Sequence, residues 1–220
     1  MSYYIFESAL VYVGEEAILA KLKEKPDFDY LLSWRNSEKG ALQPTWSQEK
    51  SPFVFQVNEE VERHPDNYTN WASLDLYSER LIELIADAKV RFEMFGTVLL
   101  SRQSGEELPL DHKVFRLLEE CDALDYNRSD IRRTEKGTYF RHLKLKEEFV
   151  DAEKPTPMFR ERYFRKILVH ETLKTAMERS RISGCQFTPL YEYKSANWSG
   201  RFDEQGKDKL FFRGLPPKEL

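Results

Sequence analysis

Leu168–Leu190, LVHETLKTAMERSRISGCQFTPL, decides the reading of this fold. Leu76–Val98, LYSERLIELIADAKVRFEMFGTV, follows the same pattern at a constant offset of 92 residues, without a gap. Leu76 matches Leu168, Glu79 matches Glu171, Leu81 matches Leu173, Val90 matches Ile182 and Phe95 matches Phe187. Each stretch reads as a short strand, a helix opened by a polar residue and a glutamate, a turn, and a second strand. Ser78 is a good N-cap, and Glu79 puts a carboxylate on the first turn, where the helix dipole favours it. Leu81, Leu84, Ile85 and Ala88 then recur at helical spacing. In the later stretch Leu173, Ala176 and Met177 repeat that face, His170 takes the cap position and Ser183-Gly184 supplies the turn. A lone unit of this kind cannot bury its apolar face, so two such units are expected to share a core.

Outward from these stretches, strands and helices mix without a regular βαβ alternation, which predicts an α+β fold with a mixed sheet and helices. The expected organisation is one domain over residues 1–193, divisible into pseudo-repeated halves 1–110 and 111–193, followed by a tail 194–220. Tyr3–Phe6 and the alternating Pro52–Val57 read as strands. Glu15–Lys25 reads as a helix, acidic at its start and basic at its end, and Lys113–Glu120 as a short amphipathic helix capped by Asp111. Thr138–Val150 reads as a paired strand region, broken by Pro155 and Pro157. The tail carries Trp198, Phe202, Phe211 and Phe212, which predicts that it packs on this chain or on a partner.

The composition, 40% hydrophobic and 14% aromatic in 220 residues, suffices for a folded core. No apolar run approaches the roughly 20 residues that span a bilayer, and the N-terminal residues lack a basic leader, so the expected location is cytoplasmic with no membrane partner. Cys121 and Cys185 are far apart in apolar contexts and read as buried free thiols. The net charge of −4 is uneven: residues 1–110 hold 11 basic against 19 acidic residues, and residues 111–220 hold 23 against 19. An acidic surface is thereby available to a basic partner.

The acidic loop Asn58–Asn70 concentrates Glu59, Glu60, Glu62 and Asp66 beside Tyr68 and Trp71, and these six residues are the expected partner-binding surface. Chemistry is harder to find. His64, His112, His142 and His170 stand outside metal-ligand spacing of one another and of the cysteines, and no phosphate-binding, zinc or nucleophile motif occurs. No catalytic, metal or cofactor residue is therefore assigned. His112 and His170 read as local hydrogen-bonding residues, and Cys185 as a core thiol. Two other readings stay open. One is an enzyme or nucleotide-handling domain that sets His112 or His142 against carboxylates in a cleft. The other is a nucleic-acid binder using Arg160, Arg162, Arg165 and Lys166 interleaved with Phe159, Tyr163 and Phe164.

The later stretch resembles the C-terminal signature of immunity-protein family eleven of bacterial polymorphic toxin systems. Glu171, Leu173, Lys174, Ala176, Ile182, Gly184, Phe187 and Pro189 fill that pattern. Ser78, Glu79 and Leu81 look like the family's earlier strand–helix segment, Cys121–Ser129 is similar to its central segment, and the Tyr3-Tyr4 strand fits. The earlier stretch departs from the signature, with Phe92 in place of the glycine and Thr97 in place of the proline. The resemblance implies a cytoplasmic protein without catalytic residues that binds and neutralises a cognate toxin, often a nuclease.

Overall fold

The computed structural model describes residues 2–9, 11–13, 16–18, 20–23, 52–58, 64–69, 74–134 and 137–194. The fold is α+β with sheet predominating over helix. It divides into two compact units. One contains Met1–Glu7, Glu119–Lys174 and the described residues from Phe187 onward. The other contains Ser8–Leu118 and Thr175–Gln186.

The chain opens with β1 (Tyr3–Ser8), which belongs to the first unit. The second unit then begins with β2 (Val11–Val13) and β3 (Glu16–Ile18), an antiparallel pair, and β4 (Lys21–Leu22). The helix expected over Glu15–Lys25 is therefore replaced by two short strands. Its favourable charge order is outweighed by backbone pairing, of β3 with the neighbouring β2 and of β4 with a strand some thirty residues further on, so that context overrides a local signal. β5 (Phe53–Val57) forms as its alternation predicts, with Phe53, Phe55 and Val57 buried. It pairs with β4 and, in parallel, with a later strand, β9 (Thr97–Ser101).

β6 (Asn67–Tyr68), β7 (Asp75–Ser78), β8 (Phe92–Phe95) and β10 (His112–Leu117) form a four-stranded sheet in the order β6-β7-β10-β8. β10 is antiparallel to both neighbours. This strand replaces the helix expected over Lys113–Glu120, and Asp111 caps nothing helical. The apolar positions Val114, Phe115 and Leu117 suit either period. The central place between two strands, which satisfies the backbone on both edges, selects the extended form. Between β7 and β8 runs α1 (Glu79–Asp87), where the Ser78 side chain accepts the Leu81 N–H at 3.3 Å and Leu81, Ile82 and Ile85 are buried. Each such side chain contributes about 2 kcal/mol relative to exposure. Lys89, at φ 59°, turns the chain out of the helix.

The first unit resumes at β11 (Glu120–Cys121) and the hairpin of β12 (Asp130–Thr134) with β13 (Gly137–Arg141). The strand region expected over Thr138–Val150 thus ends at Arg141, and α2 (Glu147–Val150) is a single helical turn. A second hairpin joins β14 (Met158–Glu161) to β15 (Ile167–His170), and β15 pairs with β1. α3 (Glu171–Arg179) begins in this unit and passes into the second at Thr175, with Leu173 and Met177 buried; β16 (Cys185–Pro189) returns to the first unit at Phe187. The five strands are ordered β11-β14-β15-β1-β16. Tyr3, Phe159, Leu168, Leu124 and Phe140 belong to the core of this unit. Cys121 and Cys185 are free, as expected, but partly rather than fully buried, and burial holds both thiols above their ordinary range. Phe28–Trp34, most of the tail and its aromatics lie outside the described residues.

Candidate functional site

Of the six residues expected at the partner surface, Glu59, Glu60, Glu62 and Trp71 lie outside the described residues. Asp66 and Tyr68 are described, and both are buried, 6% and 1% exposed. These two side chains serve the interior of the second unit. Asp66 accepts five hydrogen bonds there. Ser78 Oγ and Arg80 Nε donate to its Oδ1 at 2.8 and 3.2 Å. Arg80 Nη2, Ser183 N–H and Ser183 Oγ donate to its Oδ2 at 2.9, 2.8 and 2.9 Å. One carboxylate therefore ties the His64–Thr69 loop, the N-cap of α1 and the turn between α3 and β16.

Backbone bonds reinforce the tie. Ser78 N–H donates to Asp66 O at 2.8 Å, and Asn67 N–H to Ser183 O at 3.2 Å. Gly184 sits at φ 73° against the Asn67 carbonyl, where a side chain has no room. Arg80 also donates to the Arg181 carbonyl at 3.0 Å, so its guanidinium joins the Asp66 carboxylate to the start of the turn. Burial alone raises the Asp66 pKa. The bonds from Ser183, Ser78 and Arg80 outweigh it and hold the carboxyl below its ordinary value. Ser183, Gly184 and Arg80 escaped the sequence reading as parts of one site. The sequence shows Ser183 and Gly184 only as a turn after a helix, with Gly184 also in the family signature, and gives no sign of Arg80 beside them.

Beside this hub His112 is buried, 3% exposed, with Nε2 2.8 Å from the Pro65 carbonyl oxygen. The carbonyl accepts only, so Nε2 carries the proton. Tyr68 packs edge-on against the His112 ring at 5.1 Å, and its hydroxyl contacts His64 Nδ1. Burial holds both His64 and His112 below their ordinary value of 6.5. For His112 that shift exceeds the opposing pull of the Pro65 bond and of Asp111 and Asp66. An imidazole bonded to a main-chain carbonyl inside the core holds a loop in place.

The linkage to stability has a definite sign. With folded pKa values below the unfolded ones, these histidines leave stability intact above about pH 6.5, and it falls as pH drops below that value. Asp66 contributes in the same direction at lower pH. Thermal unfolding midpoints measured from pH 7.5 to 5 are expected to decline, and the decline is expected to be shallower in His112→Gln, whose amide can still donate to Pro65.

A model of the immunity protein family (Imm11) matches residues 18–192, a span that includes the whole Asp66 hub. The chain belongs to this family. No curated protein matches it.

The basic and aromatic segment of this Imm11 chain is engaged with its own fold. Phe159 and Phe164 are buried in the core of the first unit. Arg162 and Arg165 pair with Glu120 at 3.3 and 2.8 Å, Lys166 with Glu7 at 2.5 Å, and Arg160 donates to the Arg165 carbonyl. Glu161, fully buried, accepts the N–H groups of Tyr163 and Phe164 and so closes the turn between β14 and β15. His170 Nδ1 accepts the Thr172 N–H at 3.3 Å, the local role expected of it. His142 Nδ1 contacts the Tyr191 carbonyl. No group of three or more potential metal ligands occurs among the described residues, and no helix there is long and apolar enough to cross a membrane.

Proposed function

We propose that this Imm11 chain neutralises a cognate bacterial toxin in the cytoplasm by stoichiometric binding, acting as an inhibitor and not as an enzyme. The family match over residues 18–192 carries this reading. The acidic balance of residues 1–110 supports a basic target, and a nuclease, which must attract phosphate, is the fitting class. Glu59, Glu60, Glu62 and Trp71 are the proposed contact residues. Asp66 and Tyr68, buried as they are, fix His64–Thr69, the described segment that follows the three glutamates in sequence.

We also take Leu76–Val98 and Leu168–Leu190 to be related copies. Their sheets support this: β10 separates the strands flanking α1, and β1 separates those flanking α3.

Charge steering affects the rate of encounter more than the lifetime of a complex. Changing Glu59, Glu60 and Glu62 together to lysine is expected to slow association with the toxin by about tenfold or more at low salt, with the effect shrinking as salt is added. The thermal midpoint is expected to stay within a degree or two, about what surface changes produce. Stopped-flow association at several ionic strengths reads this directly. An association rate that is unchanged and insensitive to salt removes the acidic loop from the interface.

A further inference from the structure

We propose that a cleft in the first unit is the anchor pocket for the toxin, taking an aromatic side chain that carries a basic residue beside it. This inference rests on the toxin-binding reading above and adds a second contact with a separate kinetic role.

The cleft has a volume of about 460 Å³, the size that accommodates a large side chain with its neighbours. Its floor includes Tyr3, Leu143 and Leu190, all members of the core of this unit. The floor is held rigid because Tyr3 lies in β1, paired with His170 of β15, and Leu143 N–H donates to the Leu190 carbonyl at 2.9 Å. Four large apolar side chains stand exposed among the described residues, and two of them, Val150 and Tyr191, line this cleft. Tyr191 is 66% exposed and Val150 38%. Apolar groups held in water around an apolar floor are the arrangement of a binding hot spot.

The rim selects the charge of the occupant. Arg128 faces two carboxylates, Asp125 at 3.8 Å and Glu147 at 3.3 Å, so its single charge is more than met. The charged lining residues, Arg128 and Lys144 against Glu147, whose side chain is 85% exposed, and Asp151, balance; Asp125 behind Arg128 leaves the rim with an excess of one negative charge. Glu147 and Asp151 lie at the two ends of α2, beside Val150, so a cation adjacent to the inserted ring meets them. The acidic loop and the cleft thus divide the work: the loop accelerates encounter, and the cleft sets residence time.

The first test needs no toxin. The tripeptide acetyl-Arg-Trp-Arg-amide is titrated into the full chain and followed by amide shifts, with acetyl-Glu-Trp-Glu-amide as comparison. Saturable shifts at Tyr4, Leu143, Val150 and Tyr191 are expected with a dissociation constant of about a millimolar, and at least about fivefold weaker binding of the acidic peptide. The double variant Tyr191→Ala/Val150→Ala, altered only at exposed positions, is expected to lose that binding and keep its thermal midpoint. Shifts that survive the double variant, or equal binding of the two peptides, overturn the proposal.

The second test uses a protein that the tagged wild-type chain retains in one-to-one ratio and whose toxicity it abolishes on co-expression. Its release from the double variant is expected to be about tenfold or more faster, with the association rate unchanged. Equal release from variant and wild type overturns the pocket while leaving the toxin reading standing. Failure of the wild-type chain to hold any toxin overturns that reading instead, and the tripeptides then decide the pocket alone.

Discussion

Asp66→Ala lowers the unfolding free energy by about 3–5 kcal/mol, read from urea denaturation at pH 7. The carboxylate accepts five hydrogen bonds, and its removal leaves the Ser183 N–H, the Ser78 hydroxyl and the Arg80 guanidinium without their acceptor. Arg80 is 46% exposed and recovers part of its loss from water. Ser78 is buried and recovers little. Asp66→Asn keeps the shape but presents one amide donor to a site built of donors, so it is expected to cost about half as much. The deficit of Asp66→Ala relative to wild type narrows as pH falls below the range where the native carboxyl ionises. Its folded pKa is depressed, so the stability it supplies is lost as pH drops through that value. A loss below about 1 kcal/mol at pH 7 contradicts the hub.

Gly184→Ala is expected to cost about 3 kcal/mol or more, by two additive causes. The backbone at φ 73° suits glycine, and alanine there costs about 1 kcal/mol. The added Cβ stands 2.4 Å from the Asn67 carbonyl oxygen and 2.8 Å from Pro65 Cβ, and main chain cannot withdraw as a flexible side chain does. The Ser183–Asp66 bonds must lengthen to admit it. Gly105 supplies an internal control, because it sits at φ 76° with nothing within 4 Å of the place a methyl group would take, so Gly105→Ala carries the conformational cost alone. Denaturation of both variants side by side isolates the steric share. Equal losses mean that the approach of Gly184 to Asn67 contributes nothing.

Short-range signals were legible in this chain wherever local chemistry decided the outcome. Ser78 caps α1 because a hydroxyl followed by an apolar helical face has one economical arrangement, and Phe53–Val57 alternates because one side of β5 is buried. β10 was illegible for the opposite reason. Val114, Phe115, Leu117 and Leu118 satisfy helical spacing as well as a strand, and the choice is made by β7 and β8, which no local window contains. Glu15–Lys25 misled through its charge order, which is worth only tenths of a kcal/mol per residue beside the pairing it lost to.

The site divides along the same line. The acidic character of the loop before His64 is plain in the residues. Asp66 looked like one more surface acid, because its partner Ser183 stands 117 residues away. A buried aspartate is identified by its donors, and those came together only in the fold.

Titration of toxin activity decides whether the chain neutralises its toxin by one-to-one binding. A toxin domain captured by the tagged chain is assayed at fixed concentration while the chain is added in rising molar ratio. Activity is expected to fall linearly to zero with its endpoint at one chain per toxin. Abolition of activity by a small fraction of an equivalent, which only turnover can achieve, contradicts it, as does toxin activity that persists in excess chain.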